Sequence, residues 1–206
     1  MLLFAETENR MAANHPDMPR PERLPRIAPE HMTEAQKELT AEIAAGPRGE
    51  LRGPFIALMR SPELAGPIQK VGEYLRYRCP LERRVAEMAT LIAARHWSQQ
   101  YEWNAHHEYA MKAGLNPAIA QAIAEGRRPA GMADDEEIVY DLLTEALHNK
   151  SVCDATYARA VAKFGEQGLV DLLAIAGYYG MLAMILNVAR TALPGGRPPP
   201  LARFPN

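Results

Sequence analysis

The stretch Leu81–Gly114, LERRVAEMATLIAARHWSQQYEWNAHHEYAMKAG, decides the fold. Leu81, Val85, Met88 and Ile92 recur at helical spacing, and Pro80 just before them predicts where that helix opens. His96-Trp97-Ser98 interrupts the pattern. Ser98 is placed to cap a second helix, which Gly114 ends.

Outward from this pair the signals remain helical. Toward the N-terminus, Thr33 is a candidate N-cap for a helix over Glu34 to Ala45, stopped by Gly46-Pro47, and Ser61-Pro62-Glu63 opens another. Toward the C-terminus, Asn116-Pro117 starts a short helix that Gly126 closes. Asp134, Asp135, Glu136 and Glu137 stand where a helix N-terminus favours acids, ahead of Ile138, Leu142 and Leu143. Val152 to Phe164 and Leu169 to Leu193 complete the set. The sequence has no strand alternation, no phosphate-binding glycine loop and no G-x-S-x-G, so an all-α bundle is expected.

Domain limits follow from composition. Residues 1–30 carry Pro16, Pro19, Pro21, Pro25 and Pro29 and read as an extended arm. Residues 31–195 form the helical domain, and 196–206 are a tail, since Gly-Gly-Arg-Pro-Pro-Pro from Gly195 ends regular structure. The length of 206 residues suits one domain or two small halves sharing a core. A net charge of -2 provides no field to recruit nucleic acid or an anionic membrane, so neither is an expected partner.

Cys79 and Cys153 make no C-x-x-C pair, which fits a reducing, cytoplasmic setting. The opening MLLFAETENR lacks the basic residues that precede a secretory apolar run, and Met11 and Met18 are alternative starts. Leu172 to Ala189 approaches the length of a membrane span. It is interrupted by Gly177-Tyr178-Tyr179-Gly180 and Asn187 and flanked by Asp171 and Arg190, so it reads as a core helix or a subunit contact.

Candidate chemistry lies on the second helix of the quoted pair. Glu102 and His106, four apart, share a face that Gln99 joins and that Ala110 and Ala113 extend inward. A carboxylate beside an imidazole orients it and raises its pKa, and burial raises the carboxyl's own, so such a pair passes protons near neutral pH. The same spacing equally suits an ordinary surface pair. Glu87, one step off the apolar stripe, suits a helix salt bridge to Arg83 or Arg84.

His106 and His107 point about 100° apart on a helix and would rarely bind one ion. With no third ligand at suitable spacing, no metal is expected. Trp97, Tyr101 and Trp103 surround the motif, and Tyr178-Tyr179 can bring a hydroxyl to the same crevice. Core packing explains these aromatics as well.

Leu81-Glu82-Arg83-Arg84-Val85-Ala86-Glu87, Ala93-Ala94-Arg95, Tyr101-Glu102-Trp103-Asn104-Ala105-His106, Ala110 and Gly114-Leu115 together resemble the carboxymuconolactone decarboxylase superfamily, which also contains the alkylhydroperoxidase D proteins. The flanks are similar to larger members at Arg26-Ile27, Thr33, Tyr140, Leu147-His148, Phe164-Gly165-Glu166 and Gly177-Tyr178-Tyr179. The resemblance implies an alkylhydroperoxidase D-like helical bundle, assembly into homotrimers or hexamers, and an active crevice between the matched helices.

The hydroperoxidase branch has a C-x-x-C-x-x-x-H motif. With its histidine on His106, the cysteines fall on Gln99 and Glu102, so thiol peroxidase chemistry is not expected. The family's upstream glutamate maps onto Glu87. Decarboxylase-type members imply a cofactor-free reaction on a small lactone or aromatic-derived acid. His106 would deliver a proton, Glu102 would orient or recharge it, and Glu87 would position His106 or a water. Gln99, Tyr101, Trp103 and Tyr178 would line the substrate site. An anionic substrate needs a cation, which Arg84, Arg95 or an arginine of a neighbouring subunit would have to supply. Two alternatives use the same pocket: a metal-assisted enzyme and a non-catalytic ligand-binding oligomer.

Overall fold

Thr33 starts the first helix by a reciprocal cap. Its side chain accepts from the Gln36 backbone N–H at 3.4 Å, while the Gln36 side chain accepts from the Thr33 N–H at 2.9 Å. The computed structural model describes residues 21–202, all of them in helices and connecting segments with no strand. The early prolines Pro16 and Pro19, the alternative starts Met11 and Met18, and the last four residues lie outside the described residues.

The helices are α1 (Glu34–Ala45), α2 (Pro54–Leu58), α3 (Pro62–Tyr77), α4 (Arg83–His96), α5 (Gln100–Lys112), α6 (Pro117–Ala124), α7 (Asp134–Thr144) and α8 (Asp154–Ala189). A π turn, Glu145–Asn149, continues α7, and short 3-10 turns lie at Pro29–His31 and Pro194–Gly196.

Three boundaries differ from expectation. Pro80 lies outside the helix, which begins at Arg83 after an extended Glu82. Ser98 does not cap α5, because it takes a left-handed turn (φ 47°) to reverse the chain. Gln99 caps instead, its side-chain oxygen accepting from the Glu102 N–H at 3.0 Å. The two C-terminal helices run as one element broken at Gly165, whose φ of 69° an L side chain would resist. That element ends at Ala189, with Arg190 in the left-handed cap position.

α4 is the central helix. Val85, Met88, Ala89, Leu91, Ala93 and Ala94 are all essentially inaccessible, and α4 packs against α5, α7 and α8. Its alanines let neighbours approach closely, while Leu172, Ile175 and Leu186 of α8 fill the facing layer. Each such large apolar side chain contributes about 1.5–3 kcal/mol on burial.

α8 is long and apolar enough to cross a membrane, yet 61% of its most apolar window is buried inside the chain. Val170, Leu173, Met184 and Val188 remain exposed along it. The described part of the tail docks onto the bundle. Leu201 is buried, its N–H donates to Gln100 Oε1 at 2.8 Å, and Gln100 Nε2 donates back to its carbonyl at 3.0 Å.

Candidate active site

Packing α4 against α5 brings Glu87 to His106. Imidazole Nδ1 lies 2.6 Å from Glu87 Oε2, and both side chains are buried. Arg83, one turn before Glu87, holds the other carboxylate oxygen. Burial lowers the His106 pKa from its ordinary value, against the raising effects of the Glu87 hydrogen bond and charge. The neutral ring therefore donates Nδ1–H to Glu87 and keeps the Nε2 lone pair free, the state of a base.

Glu102, one turn before His106, is 3% exposed, and neither of its carboxyl oxygens has a hydrogen-bond partner among the described residues. Desolvation raises its pKa well above the usual carboxylate range. An isolated buried carboxylate is far costlier than a neutral acid, so Glu102 holds its proton. The hydrogen bond expected between Glu102 and His106 is not made. They share a helix face and a cavity, but Glu87 orients the imidazole across the helix interface.

That cavity has a volume of about 260 Å³. Tyr101, Tyr109, Tyr178 and Tyr179 line it together with Glu102 and His106. The His106 ring meets Tyr179 edge-on at 4.7 Å between centroids, and Tyr109 at 5.6 Å. Burial drives the Tyr178 and Tyr179 phenols upward, so both stay protonated. Tyr178 reaches its place because residue 72 is glycine: a Cβ there would fall 2.0 Å from the phenol oxygen.

Cations come from a source not foreseen in the sequence. Arg48, in the loop between α1 and α2, and Arg76, on α3, both line the cavity. Arg48 Nε donates to Gln69 Oε1 at 3.0 Å, and its guanidinium stands 4.3 Å from the Phe55 ring centroid. Arg76 leaves a buried Nε without a partner and lies 5.5 Å from the Tyr109 ring. The arginines expected to serve are engaged elsewhere. Arg84 binds Asp135 and Glu136 at 2.8 and 2.5 Å, and Arg95 donates to the Ala202 carbonyl.

Tyr101 and Tyr178 thus line the cavity as expected. Gln99 and Trp103 do not. Gln99 is consumed as the α5 cap and donates to Asn187 Oδ1 at 3.1 Å. Trp103 is buried and stacks on His107 (centroids 6.1 Å apart), at a separate depression. By helical period Gln99 stands on the His106 side of α5, but the cap and Asn187 hold its side chain, while Trp103 turns toward α6. Tyr179 lines the cavity with Tyr178, the pair expected to bring a hydroxyl there, whereas Arg48, Arg76 and Tyr109 escaped sequence reasoning. Tyr109 lies three residues beyond His106, a spacing that could have flagged it.

No protein-family model matches the chain, and no curated protein matches it. Among the described residues, no three His, Cys, Asp or Glu side chains converge in a way that could hold a metal ion.

Proposed function

We propose that this chain is a carboxymuconolactone decarboxylase-like enzyme, built on an alkylhydroperoxidase D-like bundle, that performs acid–base chemistry on a small lactone or aromatic-derived acid. One observation carries the reading: a buried, unpartnered Glu102 shares a cavity with an imidazole oriented by Glu87. Structural carboxyls seldom stay buried without partners, whereas general acids are made this way.

The roles first expected of the two groups are exchanged. Glu102 carries the proton and His106 does not, so Glu102 is the donor and His106 the hydrogen-bond acceptor and base. In the decarboxylation, the bond to the departing carboxylate breaks and its electron pair enters the unsaturated lactone as a dienolate. Carbon dioxide leaves, and the Glu102 proton forms the new carbon–hydrogen bond. Water at the cavity mouth returns a proton to Glu102. Glu87 and Arg83 are positioning residues that keep the imidazole in one tautomer.

Exposed Val170, Leu173, Met184 and Val188 on α8 suit assembly into a homo-oligomer, which the family resemblance would make a trimer or a hexamer. The half-buried Cys79 and the exposed Cys153 give no reason to expect thiol peroxidase activity. The test is turnover of lactone acids derived from aromatic-ring cleavage, followed by carbon dioxide release. Glu102→Gln and His106→Ala should each lower kcat by about two to four powers of ten. Undiminished turnover in both variants rejects the assignment.

A further inference from the structure

The cavity sets cations beside two buried groups held in their uncharged forms, Glu102 and His106. Of the arginines that line it, Arg48 and Arg76 lie deepest among the tyrosines, and neither forms an ion pair with a described carboxylate. Of the nearby acids, exposed Glu108 is engaged by Lys112 at 2.7 Å, and Glu87, whose charge acts on Arg76, is already held by Arg83 and His106. Cations taken out of water without an anion are costly, and folded chains normally pair them, as this one does with Arg84 and Asp135–Glu136.

Both guanidiniums are held in place. Arg48 is fixed by Gln69 and by stacking over Phe55, and Arg76 lies beside the Tyr109 ring. The buried Tyr178 hydroxyl, close enough to Arg48 for that guanidinium to hold it, adds a third donor. The glycine at position 72 is what allows the phenol and this guanidinium so near each other. Planar donor forks converging with a phenol suit one group above others, a carboxylate.

We infer that Arg48, Arg76 and Tyr178 form a binding site for the retained carboxylate of a small planar ring acid. The ring then lies among the tyrosines, and its opposite edge reaches Glu102 and His106. A volume of about 260 Å³ has room for one substituted ring. The three donors recognise the substrate and keep its anionic end away from Glu102, so that Glu102 remains protonated when the ligand arrives. This inference rests on the acid–base reading and deepens it by assigning the cations of the same pocket, yet it concerns binding alone.

The probe is benzoate, compared with its neutral isostere benzamide, titrated calorimetrically into the full chain. Benzoate loses no carbon dioxide under these conditions, so the result does not depend on proton transfer at Glu102. Benzoate should bind at least about tenfold more tightly than benzamide. Arg76→Met and Arg48→Met should each weaken benzoate at least about tenfold while leaving benzamide unchanged. Arg76→Lys, which keeps the charge but not the fork, should fall between. Thermal melts check that each variant is folded, and Tyr178→Phe, expected to weaken benzoate severalfold, replaces any that is not. Equal affinity for benzoate and benzamide, no benzoate binding at millimolar concentration, or full affinity in the folded variants would overturn the site. Retained benzoate selectivity in a protein that turns over no lactone acid would remove the decarboxylase reading and leave this one standing.

Discussion

The Nδ1 atom of His106 lies 2.6 Å from Glu87 Oε2, across the α4–α5 interface and 19 positions away in the chain. This contact determines which nitrogen of the imidazole is available to a substrate, and through Arg83 it ties the ring to the first turn of α4.

Replacing Glu87 by Gln should release that tautomer. The wild-type protein is expected to show a neutral His106 protonated at Nδ1 in ¹⁵N NMR, and Glu87→Gln a mixture of tautomers. Loss of a buried, charge-assisted hydrogen bond should also cost about 1.5–3 kcal/mol in denaturant unfolding. An unchanged ring spectrum would show that Glu87 does not set the tautomer.

Stability should respond to pH through two buried groups of opposite sign. The Glu102 pKa is raised on folding, so the native state binds the extra proton, and stability falls as pH rises above the ordinary carboxyl value of 4.5. The His106 pKa is lowered, so the unfolded chain binds the extra proton, and stability falls as pH drops below 6.5. Glu102→Gln should therefore match the wild type near pH 4 and exceed it at pH 8, by about 1–3 kcal/mol in denaturant titrations. A constant difference at both pH values would refute the shifted carboxyl.

Much of this architecture is legible in the residues themselves. The stripe Val85–Met88–Ile92 and the caps at Thr33 and Asn116 mark helices because they report local hydrogen bonding and a local period. Spacing within one helix likewise places Glu102 and His106 on the same side. It cannot show that Glu87 of another helix takes the imidazole, because that pairing is tertiary. Gln99 illustrates the same limit: a polar residue on the right face was needed as a cap once Ser98 turned left-handed. Arg48 and Arg76 carried no signal, since an arginine in a loop or on a helix reads as solvated until the fold closes over it.

Gly72 is predicted to be intolerant of a side chain. Alanine would put a Cβ 2.0 Å from the Tyr178 oxygen and 2.6 Å from its ring carbon, so the phenol must move. Gly72→Ala should destabilise by about 1–3 kcal/mol by chemical denaturation, despite alanine's better helix propensity. A more stable variant would mean that Tyr178 does not occupy this position.

The exposed apolar side chains of α8 should govern association. Val170→Glu combined with Val188→Glu is expected to shift the chain from oligomer to monomer in light scattering behind size exclusion, with helical content retained. A wild type that is already monomeric would dismiss the assembly.

The central claim is that Glu102 is a buried neutral acid, and isotope-edited infrared spectroscopy of glutamate-labelled protein reads it most directly. At pH 7 the spectrum should contain a protonated-carboxyl band that Glu102→Gln removes. A wild-type spectrum with only ionised glutamates at that pH would contradict the account.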